Sequence, residues 1–110
     1  MDPAFQKSLE DAQRIGRDAM DHAFASLEVG MSHGDVNHLL ETFLKDAGAT
    51  FLEPPRIEFG TQTGGGFLMR HLRTSPLQAG EVVSIDLRPV VGEAPGDVAD
   101  TRIFGENGRY

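Results

Sequence analysis

The sequence predicts an α+β domain, with a helical pair over residues 1–50 and a mainly antiparallel sheet over residues 51–110. Three observations predict it. Apolar residues recur at steps of three and four through the first part of the chain. The character changes after "EPP" at 53–55. From there on, short strand-like runs alternate with glycine- and proline-bearing turns. A length of 110 residues suits a single core.

The first helix is predicted from Asp2 to about Val29. Phe5, Leu9, Ala12, Ile15, Ala19, Ala23 and Leu27 form its apolar stripe. Asp2 before Pro3 reads as an N-cap followed by proline at the first helical position, and Gly30 as the stop. The second helix is "SHGDVNHLLETFLKDAGA", with Val36, Leu39, Leu40, Phe43, Leu44 and Ala47 on its buried face. Ser32 and Asp35 are spaced as a capping pair, and Gly48 stands where a left-handed C-terminal residue is expected. Strands are predicted at "RIEFG", "EVVSIDLRPVV" and "VADTRIF", with "TQTGGGFLMRHLRTSP" as a glycine-rich loop carrying His71.

Composition excludes several classes. Ten Lys+Arg against seventeen Asp+Glu leave a net charge of -7, and the basic residues form no run, so a nucleic-acid footprint is absent. With no cysteine there is no disulfide, thiolate nucleophile or zinc-thiolate site. The N-terminal "MDPAFQKSLEDAQ" has neither the basic nor the apolar region of a signal peptide, and no apolar run is long enough to span a membrane. The expected location is cytoplasmic. His22, His33 and His38 make no H-E-x-x-H pattern, and "TGGGF" is no phosphate-binding loop.

The chemistry concentrates in "SIDLRPVVGEAPGDVADTRIF", where Asp86, Asp97 and Asp100 occupy a hairpin. Strands disfavour Asp, so acids there call for a reason. Antiparallel partners keep a constant sum of residue numbers. If Asp86 faces Asp97, "EAPG" must be strand, against the tendencies of Pro95 and Gly96. If Asp86 faces Asp100, the turn centres on Glu93 and "VGEAP" is the loop, which favours that pair. Two opposed carboxylates persist around a cation, when one is protonated, or on a solvated face with Arg88 and Arg102 as counter-ions. Flanking Val82, Val83, Ile85, Val98, Ile103 and Phe104 predict strands buried on both faces, which favours the cation. Carboxylate ligation suits Mn²⁺, Mg²⁺, Co²⁺ or Fe²⁺.

The order of these features resembles the N-terminal half of the pita-bread metallopeptidases, the family of methionine aminopeptidases, Xaa-Pro aminopeptidases, prolidases and creatinases. The matching stretches are "AQRIGRDAMDHAFASLEVGMSHGDVNHLLETFLKDAGA", His71, and "LQAGEVVSIDLRPVV" with "DVADTRIFG". The resemblance implies half of a pita-bread fold and a hydrolase that removes N-terminal residues from peptides. It further implies a complete site holding two divalent ions (Mn, Co, Fe or Zn). Asp86 matches the first metal-binding aspartate, Asp100 with Thr101, Arg102 and Phe104 the second, and His71 the histidine that contacts substrate. The family's usual spacing falls on Asp97 instead, which stands as the alternative second ligand. Arg102 follows Asp100 one position sooner than in the family, implying a bulge or deletion. Arg88-Pro89 replaces a glycine on the substrate side.

The family's other metal ligands, a His and two Glu, lie in a second, related half. After Arg102 this chain holds only Glu106 and no histidine. The expected partners are therefore a peptide substrate and either a C-terminal half or a second copy in a symmetric homodimer. The alternative function is a non-catalytic module that binds peptides or proteins.

Overall fold

The computed structural model describes residues 2–63, 66–69 and 76–105. Helix α1 runs from Pro3 to Ala25 and helix α2 from His33 to Asp46. Strands follow at β1 (Thr50–Phe51), β2 (Arg56–Thr63), β3 (Gly66–Met69), β4 (Val82–Leu87), β5 (Pro89–Val91), β6 (Ala94–Pro95) and β7 (Val98–Ile103).

Local chemistry sets the helix ends. The Asp2 side chain accepts from the Ala4 N–H at 3.0 Å, satisfying one of the free donors of the first turn, and Pro3 follows at the start. Ser32 and Asp35 close a full capping box, each side chain accepting the other's backbone N–H at 3.0 Å. Gly48 leaves α2 at φ +82°, and Gly30 takes φ +94° in the link between the helices. Helix α1 ends four residues before the expected Val29. The Ser26 N–H bonds back to the His22 and Ala23 carbonyls, and a turn rather than a helix carries Leu27 into the core. The first turn of α1 stands outside the core, with Phe5 37% exposed, and Ala47 beyond α2 is exposed as well.

The core is a layer between the helices and one sheet face. Helix α1 contributes Ala12, Ile15, Ala19, Met20, Ala23 and Phe24, and α2 contributes Val36, Leu40 and Leu44 at intervals of four. They pack on Ile57 and Phe59 of β2 and on Val83, Ile85 and Leu87 of β4, with Val98 of β7. Full burial of a side chain such as Phe24, Phe59 or Leu40 stabilises the fold by about 2–3 kcal/mol.

Four strands form an antiparallel sheet in the order β3-β2-β4-β7, and three short ones a second sheet in the order β1-β5-β6. Three expectations about the strands are corrected. The glycine-rich segment is partly strand, since Gly60–Thr63 of β2 pairs with β3. The run "EVVSIDLRPVV" is two strands in different sheets, broken at Arg88. Nor is β7 buried on both faces. Val98 is buried, whereas Ala99 and Thr101 are exposed. Among the described residues no helix is long and apolar enough to cross a membrane.

Candidate metal centre

The register of the long hairpin decides which acids share a surface. Pairing runs from Val82↔Ile103 through Leu87↔Val98, and the same constant sum continues in Val90↔Pro95 and Val91↔Ala94. The Gly96 N–H donating to the Pro89 carbonyl at 2.6 Å keeps that sum across the break between β6 and β7. The turn is therefore the two residues Gly92 and Glu93, with Gly92 at φ +60° as tight hairpin turns require. The expected five-residue loop is replaced by strand up to Pro95. Proline is tolerated there because β6 is the edge of its sheet.

This register corrects the expected facing of Asp86 and Asp100. Asp86 lies opposite Ala99, and Asp100 lies opposite Ile85. Directly paired residues point to one face and neighbours along a strand to opposite faces. Asp100 therefore shares the face of the buried Val83, Ile85 and Leu87, and Asp86 shares the other face with Ser84, Ala99 and Thr101. Burial alternates without interruption from Gly96 to Ala99, and Asp97 is exposed between buried Gly96 and Val98. Asp97 thus has the parity of Asp86, diagonally across the hairpin. The alternation carried the signal in the sequence, since Asp100 and Arg102 have the parity of Val98.

On the helix face Asp100 is occupied. Its Oδ1 accepts the Thr101 N–H and its Oδ2 the Arg102 Nε–H, both at 2.8 Å. Arg102 Nη2 donates to Asp21 Oδ1 of α1 at 2.7 Å, and the guanidinium lies 4.5 Å from the Phe24 ring centroid. Burial alone would lower the Arg102 pKa. The hydrogen-bonded carboxylates of Asp21 and Asp100 outweigh it and hold the group above its ordinary value.

On the open face Asp86 is different. Its Oδ1 is buried and has no hydrogen-bond partner among the described residues. A buried carboxylate oxygen left in that state costs free energy, and a cation is a natural complement to it. Across the sheet Arg56 stands opposite Asp86, and Glu58 opposite Ser84. The Ser84 and Thr101 hydroxyls meet at 2.8 Å as a cross-strand pair. A pocket of about 110 Å³ adjoins Asp86, lined by Glu53, Pro54, Arg56 and Arg88. The Arg88 Nη1 to Glu53 Oε1 ion pair at 3.3 Å closes one side of it. Arg88, which takes the place of the family's glycine, thus stands on the rim of the pocket. Among the described residues no group of three or more His, Asp or Glu could hold a metal ion. His71 lies outside the described residues. His22 and His33 pack against Phe43 and Phe59, in keeping with ordinary structural histidines.

Comparison with known proteins gives the family and the fold. The profile described as "Metallopeptidase family M24" matches residues 7–109. The chain belongs to that metallopeptidase family. No curated protein sequence matches the chain. Solved structures share its fold. An X-Pro aminopeptidase from Thermotoga maritima MSB8 superposes with a TM-score of 0.77 at 19% identity, over 96% of this chain and 30% of that one. A prolidase from Pyrococcus furiosus gives 0.77 at 21% identity, over 94% and 31%. A methionine aminopeptidase from Rickettsia prowazekii gives 0.71 at 16% identity, over 96% and 44%. The chain therefore has the architecture of half a pita-bread domain and spans less than half the length of each of these relatives.

Gln13 of α1 gave no sign of a role in the sequence, because it is an exposed polar residue beside the buried face of the helix. In the structure it is tied to the backbone N–H and carbonyl of Asp97.

Proposed function

We propose that this chain supplies the two-aspartate half of a metal-dependent peptidase centre that removes N-terminal residues from peptides, with Asp86 and Asp97 as its metal ligands. The observation that carries the reading is the buried, unpartnered Oδ1 of Asp86 on the open sheet face. The register supports Asp97 as the second carboxylate, since Asp100 has the parity of the helix face and both its oxygens are bonded there. The donor set is all oxygen, which suits Mn²⁺, Co²⁺ or Fe²⁺.

Bound divalent ions at such a site lower the pKa of water and stabilise an oxyanion. The chain's own part is to hold the ions on a rigid strand pair and to shape the substrate side. Asp86 is fixed by pairing on both sides, with β2 and with β7. Arg56 and Arg88 line the adjoining pocket together with Glu53, to which Arg88 is paired. His71 is assigned the substrate contact that the family resemblance implies. The remaining ligands come from a second half of the fold or from a second copy of this chain. A cysteine-free chain suits the cytoplasm.

Thermal melting with and without Mn²⁺ tests the reading. The wild-type protein should gain stability with Mn²⁺ and Asp86→Asn should not. An equal gain in both would overturn it. Hydrolysis of an Xaa-Pro peptide by the full-length protein, lost in Asp86→Asn, extends the test to activity. The absence of a third ligating side chain among the described residues favours a second reading, a non-catalytic peptide-binding module. In that case peptide would bind equally with and without chelator.

A further inference from the structure

We infer that Gln13 is a positioning residue for Asp97, so that helix α1 sets the geometry of the metal-binding hairpin; this rests on the reading of Asp97 as a ligand. The Gln13 side-chain amide makes two bonds to the backbone of one residue, Asp97. Its Nε2 donates to the Asp97 carbonyl at 2.8 Å, and its Oε1 accepts the Asp97 N–H at 3.0 Å. A primary amide paired in this way imitates a neighbouring strand. It satisfies both backbone groups of Asp97, which lies between β6 and β7.

Steric fit at the same place is close. A Cβ built on Gly96 would come within 3.1 Å of the Ala12 backbone carbon and 3.2 Å of its carbonyl oxygen. One turn along α1, a Cβ on Gly16 would meet Pro89 Cγ at 2.6 Å and Val98 Cγ2 at 2.9 Å. Two glycines, one on each element, thus let the hairpin lie directly on α1 over Ala12, Gln13 and Gly16. The bonds fix the height of the Asp97 peptide and the glycines fix its distance. Asp97 is exposed at its side chain and held at its backbone, which is what a metal ligand on a strand break requires.

The test uses the full-length protein and two readouts that need no catalysis. Mn²⁺ affinity is measured from the free-ion EPR signal, and exchange of the Asp97 amide proton by NMR without metal. Gln13→Met keeps the length of the side chain and removes both bonds. It should weaken Mn²⁺ binding about 10-fold to 100-fold, the usual effect of losing a residue that orients a ligand, and speed exchange at Asp97. Asp21→Asn, on the same helix but linked to Arg102, should lower stability and leave both readouts at wild-type values. Wild-type Mn²⁺ affinity in Gln13→Met, with binding lost in Asp97→Asn, would overturn the clamp and leave the site standing. Wild-type affinity in Asp97→Asn would remove Asp97 from the ligand set, and the inference would fall with it.

Discussion

The two faces of one hairpin treat their acids in opposite ways. On the helix face Asp100 is bonded to Arg102 and to the Thr101 N–H, and Arg102 reaches on to Asp21 of α1 and lies over Phe24. On the open face Asp86 keeps a buried oxygen without a partner, beside a pocket with two arginines on its rim. The first arrangement fastens the sheet to a helix. The second leaves a buried carboxylate oxygen without a hydrogen bond. Strand pairing alone produced the difference, because one step along a strand changes the face. An acid in a strand is therefore informative only once its face is known.

The comparison can be broken at its foundation. Gly16→Val inserts carbon atoms where Pro89 and Val98 already pack, and should destabilise the protein by about 3 kcal/mol in urea denaturation. It should also weaken Mn²⁺ binding, because the Asp97 end of the hairpin must lift. A neutral result would mean that α1 does not set the hairpin's position.

Arg102→Met sharpens the contrast between the faces. It retains an apolar stem over Phe24 and removes the bonds to Asp21 and Asp100, whose side chains are 62% and 41% exposed. A loss of about 1–2 kcal/mol with unchanged Mn²⁺ affinity is expected. Ser84→Ala on the open face removes one exposed hydroxyl pair and should cost no more than ~0.5 kcal/mol, read by the same denaturation.

The smallest effect lies far from either face. The Lys7 hydrogen bond, with help from Arg14, holds the Asp11 carboxyl below its ordinary value. A carboxyl depressed on folding adds stability above its unfolded pKa and loses it as pH falls through the folded one. Asp11→Asn should therefore slightly lower stability near neutrality and rejoin the wild-type curve at acid pH, which flattens the acid limb.

The helices were legible because their signals are local. Asp2-Pro3, the Ser32–Asp35 box and Gly48 each act within one turn, and each does what its chemistry predicts. The hairpin was less legible because one turn residue moves every pairing. Pro95 argued for a longer loop, yet it costs little on the edge strand of a small sheet that the sequence barely announces. Strand β1, only Thr50–Phe51, is too short to show a period. Asp86 stands out by its residue type and setting, whereas the face of Asp97 and of Asp100 shows only in the alternation of burial through Gly96–Ala99 and in the hairpin register. Gln13 could not be found at all, since an exposed polar residue beside the buried stripe of a helix looks like solvent-facing surface.

The central claim is that Asp97, and not Asp100, completes the carboxylate pair with Asp86. Its most direct test is Mn²⁺ titration of Asp97→Asn and Asp100→Asn, with thermal stability measured in parallel. The account predicts that Asp97→Asn loses metal binding at near-wild-type stability, while Asp100→Asn binds Mn²⁺ normally and melts lower. Lost binding in Asp100→Asn with retained binding in Asp97→Asn would contradict it.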